Sequence, residues 1–493
     1  MDTKHRQKVN RVAAQVSDFY HAKTPFRIFH GSTNSTRILS FKKNELLDVS
    51  DLNDVVSIDT QNATAIVEPN VPMDKLVDAT LRYRLLPPVI TEFPGITVGG
   101  GIQGGAGESS SFKWGFFSQT TNWIEYVLGD GTVTKASPSE NADLFYGAAG
   151  SSGTLGVITA VELRLIRAKK YVQLTYLPVG GFTDAIRTLE RSSKEDYDFV
   201  DGIMFGKDHG VIVVGKLSDE RVGKIQRFSR AYDPWYYLHA ADIDSQAKTT
   251  AETVPLKDYL FRYNRGAFWV GRYAFQRFNI PFNAFTRFLL DPILNTRKLY
   301  QALQDSGASQ EHLVQDLMLP LNNIEEFLHY IDVATGIYPL WLCSVKPELR
   351  SPLLCNGLDT PLAVNVGVWG PQESDYAKFK TLNKNIEAKL MNLGGKKWMY
   401  AHTYYSEAEF WEIYDKPWYD ALRKKYKATN LPTMYEKVVV REKYEINARR
   451  GLLRTIAGKA KLRITKKVAI NGSFDLAISV AIVCTMAFHS TYA

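Results

Sequence analysis

Cysteine is scarce in this sequence. Cys343, Cys355 and Cys484 are the only three among 493 residues, and none stand at metal-knuckle spacing. Neither a disulfide framework nor a cysteine-held metal is implied, and a reducing compartment fits. Long apolar runs are missing too. A membrane-crossing helix needs roughly 20 apolar residues, and the nearest candidate, Leu476–Phe488, has 13. The polar opening Met1-Asp-Thr-Lys-His-Arg-Gln-Lys8 does not suit a secretory leader. No G-x-x-x-x-G-K-[ST] phosphate loop and no internal repeat occur. The net charge of +8 comes without zinc-finger spacing or an aromatic RNA-binding signature, so nucleic acid is not the expected partner. Much of that charge falls in 441–467, at Arg449, Arg450, Arg454, Lys459, Lys461, Arg463, Lys466 and Lys467. Such a basic stretch ahead of a short apolar one suits an anionic membrane surface.

The chain is long enough for two or three domains. Its 45% hydrophobic and 23% charged residues are ordinary for a globular protein, and 12% are aromatic, which suits well-filled cores or a large apolar pocket. Glycine is concentrated: seven of the 19 residues of Phe93–Ser111 are Gly, and the stretch ends in three serines. Glycine lets a bulky ligand approach the main chain. Gly99-Gly-Gly-Ile-Gln-Gly104 formally matches G-x-G-x-x-G. A Rossmann site, however, needs a strand before, a helix after and an acid about 20 residues on. Glu108–Gly115 has no helical periodicity, so that reading is rejected.

Val9, Val12, Ala13, Val16 and Tyr20 predict an opening helix. A strand Phe26–His30 leads into the small polar loop Gly31-Ser-Thr-Asn-Ser-Thr36. Strands follow at Val55–Asp59 and Thr64–Glu68, then a helix begun at Pro72. Gly129-Asp-Gly131 predicts a hairpin between Trp123–Leu128 and Val133–Ala136. Asp143 opens a short helix, Gly150–Gly156 is a second glycine turn, and Val157–Ile166 is a strand. Beyond Tyr171, strands (Tyr171–Leu177, Val211–Gly215, Pro339–Ser344, Leu362–Val368, Trp398–Tyr404) mix with helices (Phe182–Arg191, Ile324–Ile331, Asp375–Met391). This predicts an α+β class. Tyr259–Leu303 reads as aromatic, basic and irregular, and the part after about Leu431 shows no core pattern.

The order of the small loop, Pro94-Gly-Ile-Thr-Val-Gly-Gly100, Gly107–Gly115, the hairpin, Asp143-Leu-Phe145 and Gly153-Thr-Leu-Gly-Val-Ile-Thr159 resembles the FAD-binding domain of the vanillyl-alcohol-oxidase and p-cresol-methylhydroxylase family. Glu108-Ser-Ser-Ser-Phe-Lys-Trp-Gly-Phe-Phe117, Pro138–Tyr146, Val314–Pro320, Tyr338–Cys343 and Glu409–Tyr414 are similar to its Delta(24)-sterol reductase branch. The similarity extends to about Tyr426. The membrane-spanning segment that precedes this region in animal members has no match here, nor do the last residues match anything in the branch.

The resemblance implies a two-domain PCMH-type FAD-binding fold with an α+β substrate (cap) domain. Residues 1–169 would bind FAD, 170–430 would form the cap with a C-terminal return, and 431–493 would be a basic tail. Gly31, Ser32, Thr33, Asn34 and Ser35 are the expected cofactor contacts of the first loop. Pro94, Gly95, Thr97, Val98, Gly99, Gly100, Gly101, Gly104, Gly107, Ser109, Ser110 and Ser111 are those of the second. Gly153, Gly156 and Val157 complete the set. Neither loop holds a His or Cys, so FAD is expected to be non-covalent; His30 is expected to be structural.

The implied activity is NADPH-dependent saturation of a sterol side-chain 24,25 double bond, at the cytosolic face of the endoplasmic reticulum membrane or else in the cytoplasm. Such an alkene has no carbonyl to accept hydride, so protonation leads and a general acid is needed. The candidates are Asp316, His402, Tyr404 and Tyr405; His402 and Tyr404 would share a strand face. Leu317–Leu321 is expected against the sterol. Lys113 could approach the flavin, Trp341, Trp411 and Tyr338 are candidates for the pocket or the core, and Glu108 is expected to order its own loop. An FAD-dependent oxidase or dehydrogenase of an alcohol or hydroxy acid is the alternative; a flavin-fold scaffold would have no use for the glycine loops.

Overall fold

The opening helix is Thr3–His21, with Val9, Val12 and Val16 buried on one face, the spacing an amphipathic helix requires. These valines pack toward Leu47 and Val127. His5 fixes the same face. Its Nδ1 lies 2.8 Å from Glu68 Oε1 and its Nε2 3.1 Å from Glu125 Oε1. Burial opposes a charge on the ring, but the two carboxylates outweigh it and hold the pKa up to about 9. The computed structural model describes residues 3–31, 35–38, 40–372, 375–445, 447 and 463–465.

Beneath this helix lies a five-stranded antiparallel sheet. Its order is Val55–Asp59, Thr64–Val67, Val157–Arg164, Thr121–Val127 and Val133–Ala136. Arg27–Phe29 pairs in parallel with Leu46–Asp48, and Ser40–Lys42 with Arg463–Thr465.

The second half is built on an eight-stranded antiparallel sheet. Its order is Thr250–Pro255, Tyr171–Val179, Gly210–Ser218, Phe199–Met204, Leu340–Val345, Ala363–Pro371, His312–Pro320 and Lys396–Lys397. Side chains alternate across a strand, and that period places the site. Leu340, Leu342, Val364, Val366, Val368, Leu313 and Leu317 pack with helices Phe182–Ser193, Ile324–Thr335 and Tyr376–Asn392. The intervening Trp341, Trp369 and Val314 belong to the core shared with the first domain. Helix Lys416–Lys425 returns to that domain. Arg423 donates to the carbonyls of Thr154 and Leu431, and Tyr426 donates to Asp143 at 2.7 Å.

The α+β class is as the sequence predicts. Four local expectations are not met. The glycine run contains a helix, Val98–Gly104. Tyr259–Leu303 is largely helical, with helices Gly271–Arg277, Ala284–Leu290 and Thr296–Ser306. Trp398–Tyr404 is not a strand; pairing stops at Lys397. Past Leu431, Met434–Val438 is a helix with Met434 and Val438 buried, so the chain is still part of the core there. The basic residues from Arg449 to Lys461 and the apolar Leu476–Phe488 lie outside the described residues. Among the described residues no helix is long and apolar enough to cross a membrane.

His5→Ala should lower the unfolding free energy by about 3 kcal/mol, because it takes one counter-charge from buried Glu68. The folded imidazole titrates near 9 and the free one near 6.5. The wild-type advantage is therefore full below pH 6.5 and is lost as pH rises through 9. Denaturant titrations of both proteins on either side of that window measure it.

Candidate active site

A helix this rich in glycine is weak on propensity alone, so its glycines need another reason. A Cβ on Gly99 would stand 2.8 Å from Pro69, and one on Gly101 would stand 3.1 Å from Phe117. Those two glycines let the helix seat closely on the first domain. Thr97 caps it, accepting the Gly100 N–H at 3.2 Å, and Gly105 ends it at φ +71°. Gly100 and Gly104 are one turn apart and line a cavity of about 700 Å³ between the two domains. A Cβ on Gly104 would meet nothing within 4 Å. One helix face thus offers bare backbone to a ligand. Ser35, Thr97 and Gly107 line the same cavity, and Ser35 Oγ donates to the Tyr400 carbonyl at 3.0 Å.

Positive charge gathers at the His30 end. Lys437 is half-buried and donates to the Ser152 carbonyl. Burial, then the charges of Arg27 and Arg37, bring its pKa down to about 7. Among the described residues no carboxylate pairs with it. Arg37 donates to the carbonyls of Met399 and Ala401 at 2.5 and 2.8 Å, while its buried Nε has no partner. His30 lines the cavity with Nδ1 unpartnered. Burial, then Lys437, pull its pKa down to about 4. The second glycine turn adjoins the cluster, since a Cβ on Gly153 would meet Lys437 Nζ at 3.2 Å. These half-buried cations stand behind the cavity wall at His30, and their unused donors fit the diphosphate of FAD. The bare glycine face next to them fits its ring system.

The cap supplies carboxyl groups to the same space. Asp316, Asn365 and Tyr400 all line the cavity. Asp316 Oδ2 accepts from Tyr400 Oη at 2.5 Å and Oδ1 accepts from Asn365 Nδ2 at 2.9 Å. Burial lifts the Asp316 pKa to about 6 against the pull of those bonds. Glu92 precedes the glycine stretch and also lines the cavity. Its buried Oε2 has no partner. Burial, then the charge of Glu108, push its pKa up to about 8, so it keeps its proton at neutral pH. Trp341, Trp369 and Phe268 form an aromatic wall, with Phe268 and Trp369 centroids 4.3 Å apart. Phe275, Ile280, Leu294 and Leu303 continue the lining in apolar side chains.

Several sequence-selected residues are placed elsewhere. His402 and Tyr404 are absent from the cavity wall and pack with Phe379 instead. With no strand there, their alternation has no basis. Burial, then Arg37, bring the His402 pKa down to about 3, so it has no proton to give at neutral pH. Ser109 donates to Glu108 and contacts Tyr259 Oη at 2.9 Å, and Ser111 Oγ accepts the Glu108 N–H at 2.9 Å. With buried Ser110, these serines shape the domain junction and do not line the cavity. Gly95 packs on Arg297, and Pro94 gives Arg297 a carbonyl acceptor. Val98 and Val157 are core residues. Gly156 faces the Val127 carbonyl and Gly31, at φ +84°, faces Ser50. Ser32, Thr33 and Asn34 lie outside the described residues. Leu317, Leu319 and Leu321 pack in the helix-facing core, not against the cavity, and Tyr338 bonds Asp332. Trp411 stacks on Tyr419. Lys113 is a surface residue paired with Asp198 at 2.9 Å. His30, expected to be structural, stands at the cavity wall.

Comparison with known proteins agrees with this geometry. The profile of the FAD binding domain family matches residues 6–137. The fold and site therefore define an FAD-dependent oxidoreductase of two domains. The Delta(24)-sterol reductase of Homo sapiens is 30% identical over 445 residues, covering 88% of this chain and 86% of its own. The Delta(24)-sterol reductase homolog of Caenorhabditis elegans is 28% identical over 471 residues, with 88% and 87% covered. The Arabidopsis thaliana Delta(24)-sterol reductase is 28% identical over 424 residues, with 78% and 74% covered. The chain belongs to the Delta(24)-sterol reductase family.

Two glycine substitutions separate cofactor space from packing. Gly104→Leu should strip most of the bound flavin and leave the melting temperature of the flavin-free protein unchanged. Gly99→Ala should destabilise that flavin-free protein by about 2 kcal/mol through overpacking on Pro69. Flavin absorbance per protein and thermal unfolding check both.

Proposed function

We propose that this protein uses NADPH to saturate the 24,25 side-chain double bond of a sterol or related terpenoid at the cytosolic face of the endoplasmic reticulum membrane. FAD, reduced by NADPH, supplies the hydride when bound. Gly100, Gly104 and Gly107 would face its ring, and Lys437 and Arg37 would meet its diphosphate. Glu92 gives its proton to the less substituted alkene carbon, which leaves positive charge on the tertiary one. Asp316 is ionised at neutral pH and held by Tyr400 and Asn365, so it places negative charge near that carbon. The faces of Trp341, Trp369 and Phe268 favour a cation in the same way. Hydride supplied by the bound cofactor would complete the saturated bond, and Glu92 would regain its proton from solvent between turnovers.

The feature that carries this reading is a pair of carboxyl groups in one largely apolar cavity: Glu92, pushed toward keeping its proton by burial, and Asp316, held by Tyr400 and Asn365. Titratable groups pushed to different pKa values divide acid and charge-stabilising roles. The site does not favour a hydroxy acid, whose carboxylate would meet the ionised Asp316.

The test starts under anaerobic conditions. NADPH should bleach the flavin, and a Delta(24) sterol should restore its colour. Glu92→Gln should leave bleaching intact and slow reoxidation by the sterol about 100-fold or more, the usual size of a general-acid contribution. The wild-type reoxidation rate should fall as pH rises through about 8, where Glu92 loses its proton, and Glu92→Gln should lack that limb. A full rate in Glu92→Gln would remove Glu92 as the acid. Bleaching by a small alcohol, with no response to sterol, would overturn the reductase reading.

A further inference from the structure

Helix Ala284–Leu290 turns large apolar side chains outward. Phe285, Phe288 and Leu289 are 70%, 50% and 45% exposed, and the helix has no buried residue. It is nonetheless well formed. Asn283 and Thr286 make a reciprocal cap at its start, and the Arg287 guanidinium lies 4.9 Å from the Phe282 ring centre and 5.9 Å from that of Trp235. Neighbouring exposed aromatics of this kind mark a surface that is covered in use.

Its position points to the cover. Leu290 ends this helix and lines the cavity, as do Ile293, Leu294 and Phe275 of the flanking segments. Phe278 does both: it lines the cavity and is 36% exposed. The outward apolar face is therefore continuous with the mouth of the cavity. Gly271–Leu290 contains Arg272, Arg277 and Arg287 and no acidic residue of its own; Arg277 pairs with Glu311 at 3.0 Å, which leaves Arg272 and Arg287 as the cations of the rim. A cationic rim around an apolar tip complements anionic headgroups above acyl chains. A protein cover would close the mouth, whereas a bilayer would open it onto dissolved sterol.

We infer that Ala284–Leu290 is the element by which the enzyme docks on an anionic phospholipid bilayer, with Phe285, Phe288 and Leu289 entering the acyl boundary and the cavity mouth facing the lipid. The inference rests on the sterol-reductase reading for the purpose of docking, and on the surface itself for its place.

The experiment uses the full chain carrying Cys484→Ser and Phe285→Cys, labelled on that thiol with an environment-sensitive NBD dye; Cys343 and Cys355 are buried. Vesicles of phosphatidylcholine with phosphatidylserine should shift the emission to the blue, and lipids brominated on their acyl chains should quench it. The double variant Phe285→Ser/Phe288→Ser, on the otherwise native chain, should bind these vesicles at least about tenfold less, as expected for losing two buried rings. It should reduce vesicle-borne sterol more slowly and cyclodextrin-borne sterol at the parent rate. A dye that stays in water when vesicles are added overturns the inference. So does a dye already blue-shifted without vesicles, which would mean that the chain's own tail or a second copy covers the face. Insertion of the dye in a protein that reduces no sterol from either carrier supports the docking and rejects the functional reading.

Discussion

Arg262 is fully buried and holds two carboxylates, Glu108 at 2.7 Å and Asp201 at 2.8 Å. Glu108 follows the glycine helix of the first domain, and Asp201 stands on a central strand of the large sheet. The guanidinium plane packs among the rings of Tyr259, Tyr263 and Tyr236, with centres 4.1, 4.7 and 5.3 Å away. Asp201 Oδ2 also accepts from Trp341 Nε1 at 3.0 Å and Tyr263 Oη at 3.1 Å. One cation therefore ties the cofactor loop to the cap sheet and, through Asp201, fixes the tryptophan of the cavity wall. The balance of charge matters as much as the geometry. Two acids share one base in a dry interior, and the negative field of Glu108 reaches Glu92 and raises its pKa. The contact that joins the domains is thus also one of the causes that keep the acid protonated. A buried pair of this kind is a poor source of net stability, so its value here lies in position and field.

The cavity is polarised along its length. At one end His30 lines the wall with Lys437 and Arg37 behind it, cationic or proton-poor nitrogens whose pKa values are brought down by burial. Such a cluster repels itself, and bound phosphate oxygens relieve the repulsion, so its cost in the empty protein becomes affinity for the cofactor. In the middle stand Glu92 and the Asp316–Tyr400–Asn365 set. The rest of the lining is mostly aliphatic and aromatic, with the Arg277–Glu311 pair at 3.0 Å and His312 among it. A long molecule with an apolar body and no charge fits that order, with its reactive end inward.

The first domain was readable because its motif is local. Backbone that must approach a ligand needs glycine, and glycine is visible in one dimension. The same stretch misled on the serines: hydroxyls beside a glycine loop suggest phosphate donors, yet Ser109 and Ser111 face Glu108. Glu92 was adjacent to the motif and passed over, because a lone carboxyl acquires its meaning from burial, which sequence does not display. Lys437 is 285 residues from Ser152, whose carbonyl it meets, and arrives only through the C-terminal return. The helices at Gly271–Ser306 were read as irregular for a different reason. They are short, and their apolar residues face a ligand space and an outer surface at once, which blurs the 3.6-residue period. His402 and Tyr404 were chosen on strand alternation, but the large sheet stops at Lys397, so that rule did not apply.

The proposed proton-first chemistry sets one more demand that links these parts. A carboxyl with a pKa near 8 is a weak acid, and protonating an isolated alkene with it is steeply uphill. The step is useful only if the cation survives until hydride arrives. Water would compete twice, by drawing off the proton and by capturing the cation as an alcohol. The wall of Trp341, Trp369 and Phe268 denies it space on the cap side, and the glycine helix does so on the other once a ring system lies against it. The mouth is the remaining route. It is bordered by Phe278 and Leu290, which line the cavity, while Phe285 and Phe288 stand outside it. Exclusion of water at that opening, more than contact with any one catalytic atom, is the reason an apolar rim belongs to a proton-first reductase.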